Sequence, residues 1–231
     1  MRTILVLQRD AQSPPALIGE YLLEAGFILD VRRLDRDDPL PDGDELGRAA
    51  ALVALGIDDD ADDDAGDKSG EVHTLAEALA GGLPTLGVGR GAQQLVRAAG
   101  GDVFPRAGLD LGWEPIEFAA RDGFVRDVDP RPLVFSWRSH TCRLPDGALL
   151  LADSAAEPQI FRAGEAAWGV EFHPEVDKPL LLGWLDGAAG PGDHGRAERL
   201  RAMSKRELLR SAMLCGQLMA NFLATGRVRE R

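Results

Sequence analysis

The sequence predicts an α/β fold, a single doubly wound and mostly parallel sheet, on three observations. Short apolar runs rich in Val, Ile and Leu recur along the N-terminal half. Segments of helical period alternate with them, and one run, Pro84 to Gly101 (PTLGVGRGAQQLVRAAGG), passes through a glycine cluster straight into a helical pattern. Buried parallel strands read as continuous apolar runs because both faces are covered.

The elements follow in order. Thr3 to Leu7 is apolar and is expected to form the first strand. Ser13 is placed to cap a helix whose first turn holds Pro14 and Pro15, with Leu17, Ile18, Tyr21, Leu22 and Leu23 facing the core and Gly26 as the stop. Phe27 to Leu34 is the second strand, PLPDGDELG a polar connection, and Ala49 to Leu55 the next strand. Val72 to Ala80 is a helix packed under the strand at Pro84. After the glycine-rich turn and its helix, GDVFPRAGLDLGWEPIEFA is a turn followed by strand-like alternation in Trp113 to Phe118. Leu133 to Ser139, Ala148 to Ala152, Gln159 to Arg162 and Trp168 to Phe172 are short strands, and Pro179 to Leu185 is a short helix. GAAGPGDHG is a flexible loop. Glu198 to Leu223 is a long helix with Leu200, Met203, Leu208, Leu209, Met213, Leu218 and Phe222 on its apolar side.

Composition narrows the function classes. A chain of 231 residues, 45% hydrophobic, can bury one sizeable core, so one domain over 1–231 suffices, with an acidic loop at 57–70 and a C-terminal helix at 196–224. The net charge of −12 argues against nucleic acid or an anionic membrane as partner. Much of it is local: from Asp58 to Glu71 there are seven Asp, one Glu and one Lys. Cys142 and Cys215 show neither disulfide nor metal spacing, the N-terminal apolar run is too short for a signal peptide, and no run reaches a membrane span. A cytoplasmic protein without a cofactor is expected.

The glycine-rich turn carries the chemistry. A strand that turns sharply into a helix exposes one tip residue above the sheet edge, with helix N–H groups beside it. Here the tip is Gly89, which has no side chain to attack with. The stretch resembles the elbow of the class I glutamine amidotransferases, of the kind found in the amidotransferase domain of GMP synthases. It matches at Gly87, Gly91, Ala92 and Gln93, and departs at Gly89, where the family has its nucleophilic Cys. AAWGVEFHPEV, Ala166 to Val176, resembles the family's second signature, in which His173 and Glu175 complete a Cys, His, Glu triad. With the intervening FSWRSHTCRLPDGALLLADS, the resemblance runs to about Trp184.

The resemblance implies a glutamine pocket lined by Gly56, Arg90, Gln93, Ser139, His140 and Thr141. It also implies an oxyanion turn at Gly56, where relatives carry Gly-Gly-Pro. Only Gly56 matches: Ile57 resists the φ values open to glycine, and Asp58 brings negative charge to a place that stabilises an anion. The expected function is therefore that of an amidotransferase-like protein that no longer hydrolyses glutamine. It would bind a small amino-acid-like ligand, glutamine or a γ-glutamyl compound, or serve a synthetase or other partner protein as a scaffold. The alternative is a working glutamine amidotransferase or γ-glutamyl hydrolase whose Cys has been replaced at position 89. Cys142 reads as a small buried hydrophobe and Cys215 as packing.

Two further readings come from other classes. Gly87 to Ala92 also satisfies the spacing of a dinucleotide fingerprint, but the acidic residue it requires, Asp110, lies in the Gly-rich turn LDLG. Asp60, Asp62, Asp64 and Glu71 occupy positions one, three, five and twelve of a calcium loop, whose sixth position here is Ala65 instead of Gly. A solvated acidic loop without a metal is the simpler account.

Overall fold

The structure is a computed structural model that describes residues 2–57, 70–188, 194–226 and 228. Its centre is an eight-stranded sheet in the order β2, β1, β3, β4, β10, β9, β8, β6. The strands are β1 (Thr3–Gln8), β2 (Ile28–Arg33), β3 (Ala51–Gly56), β4 (Thr85–Gly89), β6 (Glu117–Phe118), β8 (Leu149–Ser154), β9 (Glu157–Ala163) and β10 (Ala167–Val170). The first five in spatial order pair in parallel, and β9, β8 and β6 extend the sheet antiparallel. A separate ribbon joins β5 (Asp102–Pro115) to β7 (Leu133–Arg143).

The period of two along each central strand sorts side chains into two cores. Ile4 and Val6 of β1 and Val53 and Leu55 of β3 pack with Ile18 and Leu22 of α1 (Ala16–Glu24) and with Leu218 and Phe222 of α6 (His194–Thr225). Their neighbours Leu5, Leu7, Leu52 and Ala54 face the other way. There they meet Leu46 of α2 (Gly43–Arg48), Leu75 of α3 (Glu71–Ala80) and Leu95 of α4 (Arg90–Ala98). Helices thus cover both faces, which is why these strands are apolar throughout, and each Ile, Leu or Val buried there contributes about 1.5–3 kcal/mol. A third, aromatic cluster of Phe135, Trp137 and Trp184 includes Ile57 and Leu200, and takes in α5 (Lys178–Ala188) through Leu181 and Leu185.

Four local expectations are corrected. PLPDGDELG contains the helix α2, started by a capping box in which Asp42 accepts from the Glu45 backbone N–H while the Glu45 side chain accepts from the Asp42 N–H. Strand β5 begins at Asp102, before the alternation at Trp113, because β7 supplies ladder partners for its first residues. Pro15, not Ser13, holds the N-cap of α1 and no side chain caps it. On α6, Met203, Leu209 and Met213 face outward. The expected loop GAAGPGDHG lies largely outside the described residues, as does the acidic loop over 58–69. No helix among the described residues is long and apolar enough to cross a membrane.

The capping box on α2 should be measurable. Asp42→Ala is expected to lower unfolding free energy by about 1 kcal/mol, read as a shift in urea midpoint at unchanged slope.

Candidate active site

The parallel strands β1, β3 and β4 end side by side, with Gly56 registered against Gly89. Crevices at the carboxyl ends of such strands are where α/β proteins bind and react. Strand β4 passes into α4 without a connecting residue, and Gly89 absorbs the reversal at φ 55° and ψ −119°. Packing explains two of the other glycines: a Cβ on Gly91 would lie 2.1 Å from the Ala54 carbonyl oxygen, and one on Gly87 2.6 Å from that of Gly91. The helix therefore lies directly on the sheet.

His173 faces the tip of this turn. A Cβ built on Gly89 would lie 2.4 Å from the Gly56 carbonyl oxygen, 2.6 Å from His173 Cε1 and 3.2 Å from His173 Nε2. Real carbon contacts do not come so close, so the carbonyl and the imidazole fill the space that a side chain would enter. His173 Nδ1 is 2.8 Å from Glu175 Oε1, and both residues are buried. The carboxylate orients the ring through Nδ1, and Nε2 lies toward Gly89 and 3.4 Å from the Trp137 carbonyl oxygen. The ring is further held edge-to-face by Trp184, with centroids 4.9 Å apart, and the His173 backbone N–H donates to the Phe135 carbonyl.

The loop between β1 and α1 closes over this pair. Trp184 Nε1 donates to the Gln12 carbonyl at 2.7 Å, and the Leu17 N–H donates to the Glu175 carbonyl at 3.2 Å. The buried Ser13 hydroxyl donates to Asp10 and accepts from the Ile57 N–H at 3.0 Å. That N–H follows Gly56, at the turn where the sequence comparison expects an oxyanion donor. Ile57 itself packs into the aromatic cluster.

The remaining sequence-selected residues divide. Arg90 is buried at the start of α4, its Cβ against Gly56, and Arg9 pairs with Glu71 at 3.3 Å nearby. Gln93 points inward, and its Nε2 donates to the fully buried Glu171 at 3.3 Å. Ser139, His140 and Thr141 lie buried on β7, just beyond Trp137, and the Ser139 hydroxyl is 2.9 Å from His140 Nδ1. Asp60, Asp62 and Asp64 fall outside the described residues, while Glu71 opens α3 and is engaged by Arg9. No cluster of potential metal ligands occurs among the described residues. Asp110 is held by Arg138 at 3.1 Å.

Both thiols are buried, and both are pushed well above the usual range. For Cys142 the main cause is burial, followed by the Glu171 carboxylate; for Cys215 burial again leads, with Glu175 next. Neither supplies a thiolate at neutral pH. Ser13, Gln12, Trp137 and Trp184 are the site residues that the sequence pattern did not single out. Ser13 and Ile57 are separated by 44 positions, so only the fold joins them.

Comparison with known proteins bears on the family and the fold. The family model described as glutamine amidotransferase class-I matches residues 13–179, from the loop that closes the site through both halves of the His173 pair. This chain belongs to the class-I glutamine amidotransferase family. Among solved structures, the glutamine amidotransferase of Methylobacillus flagellatus superposes with TM-score 0.84 at 21% identity, covering 97% of this chain and 95% of that one. A glutamine amidotransferase of Thermotoga maritima superposes with TM-score 0.79 at 23% identity, covering 100% and 99%. The glutamine-hydrolysing GMP synthase of Porphyromonas gingivalis is 36% identical over 104 residues, which are 42% of this amidotransferase-family chain and 20% of the synthase. The aligned stretch thus spans about a fifth of that relative.

Two outcomes are expected. Ser13→Ala strands the Ile57 N–H in a buried site and should cost about 1–3 kcal/mol in urea unfolding. A disulfide reagent should find no reactive thiol in the native protein, and both of the two cysteines after denaturation.

Proposed function

We propose that this member of the class-I glutamine amidotransferase family retains the proton-shuttle half of an acyl-transfer site, does not hydrolyse glutamine, and acts in the cytoplasm as a scaffold or ligand-binding partner. The observation that carries the proposal is the filled space beside Gly89. Covalent glutamine hydrolysis needs a nucleophile that attacks the side-chain carbonyl, an imidazole that takes and returns its proton, and donors for the oxyanion. His173 and Glu175 supply the second. At the first position there is no attacking atom, and the Gly56 carbonyl oxygen and the imidazole lie 2.4 and 2.6 Å from where its Cβ would be.

The oxyanion turn supports the same reading. The Ile57 N–H is engaged by Ser13, so a substrate oxygen would have to displace a buried hydroxyl that Asp10 also holds. With His173 and Glu175 enclosed by Trp137, Trp184 and the Gln12 loop, a role in contacts with another protein is better supported than capture of free glutamine. A synthetase is a natural class of partner, since the GMP synthase relative carries its matching stretch within a much longer chain.

One observation favours the second reading, an enzyme whose Cys has been replaced at position 89. The backbone there keeps the positive φ that an elbow imposes on its tip, with the His173 and Glu175 pair intact. Ammonia release from glutamine, measured for this chain and for Gly89→Cys, separates the two. The pseudoenzyme reading expects no turnover from either, because the new Cβ must force back a carbonyl and a packed ring. It also expects no covalent adduct with a glutamine-mimicking electrophile on the unaltered chain. Turnover by the unaltered chain would sink the proposal. Near-family rates from Gly89→Cys alone would establish the replaced-nucleophile reading instead.

A further inference from the structure

Helix α6 carries more apolar side chains than its core uses. One side is buried, with Leu200, Leu214, Leu218 and Phe222 packed inward. On the other, Met203, Leu209 and Met213 stand 44%, 72% and 63% exposed, three of the seven large exposed hydrophobic side chains among the described residues. Leu209 and Met213, four positions apart, form one ridge of the helix, while Met203, six positions before Leu209, lies about a third of a turn around from it. Beside Met213 the ridge opens into a groove of about 500 Å³, lined by Pro132, Leu133 and Leu214 and, on its polar side, by Asp129, Glu207 and Arg210.

The exposed charges of α6 along this ridge have one sign. Between Met203 and Met213 the exposed charged residues are Lys205, Arg206 and Arg210. The one carboxylate in that interval, Glu207, is buried and holds Arg210 at 3.3 Å. No carboxylate among the described residues lies within ion-pair distance of Lys205 or Arg206. At the far side of the groove, Asp129 accepts from the Arg131 N–H and the Arg131 guanidinium pairs with Glu117, so both are engaged. A cationic fringe around apolar side chains is unexpected on a chain of net charge −12. A second copy fits it poorly, because a two-fold pairing of this ridge would set the same cations against one another.

We propose that the outer face of α6 around Leu209 and Met213, with the adjoining groove, docks an amphipathic helix of a partner protein whose apolar ridge is flanked by carboxylates. Leucine or methionine side chains would cover Leu209 and Met213 and enter the groove, and the flanking carboxylates would meet Lys205 and Arg206. The same helix reaches the closed site from within: Leu200 packs in the aromatic cluster that contains Trp137 and Trp184, and Leu208 lies against it. The surface rests on the scaffold reading for its purpose and on its own geometry for its existence.

The test uses a fluorescein-labelled synthetic peptide with leucine at helical spacing and glutamate on the flanks, followed by fluorescence anisotropy against the full chain. Saturable binding that weakens at raised salt is expected. A peptide with lysine for glutamate should bind at least about tenfold more weakly. Leu209→Ser with Met213→Ser, and separately Lys205→Glu with Arg206→Glu, should each weaken binding by about tenfold or more with the melting temperature unchanged. Absence of saturable binding, equal binding of the lysine peptide, or indifference to both double variants would overturn the proposal. So would self-association in sedimentation velocity that Leu209→Ser abolishes, which assigns the face to a second copy. Glutamine turnover by the chain would remove the scaffold reading and leave this surface standing, whereas loss of peptide binding would do the reverse.

Discussion

The space beside Gly89 governs how the rest of this molecule can be understood. Three groups compete for it: the Gly56 carbonyl, the His173 ring and whatever side chain the tip of the turn carries. Carbonyl and ring are placed by the sheet register and by Glu175, so a Cβ at position 89 would require one of them to shift. Interiors are packed densely enough that a few tenths of an ångström decide such a contest. The absence of a side chain at position 89 is therefore matched by the surrounding packing.

Closure of the site follows from the need to satisfy buried polar groups. The Ile57 N–H and the Trp184 indole N–H lose water when the aromatic cluster forms, and each left unpaired would cost about 1–3 kcal/mol. Ser13 and the loop before α1 answer that need with short hydrogen bonds. The bonds that complete the core thus include the one that engages the Ile57 N–H beside Gly56.

Charge is handled in a similar way. Glu171 and Arg138, both buried, are each supplied with partners: Gln93 beside Glu171, and Asp110 and Glu157 around Arg138. Gln93, marked by its motif as a pocket residue, spends its amide on Glu171 inside the protein.

Much of this was legible in one dimension. The apolar runs, the glycine spacing of the elbow and the ordered pair of signatures determined the fold class, the family resemblance and the positions of Gly89, His173 and Glu175, because strand and helix periodicity and turn glycines are local properties of the chain. Helix α2 was legible too, in Asp42 and Glu45, although the polar composition around them read as a loop. What only the tertiary structure decided concerns partners distant in sequence. Strand β5 took its length from β7; Ser13 left its expected cap for an N–H 44 positions away; and α6, apolar on more than one side, buried Leu214 and Leu218 while leaving Leu209 and Met213 in solvent. Periodicity says that a helix has an apolar face, but the surface it packs against determines which face that is.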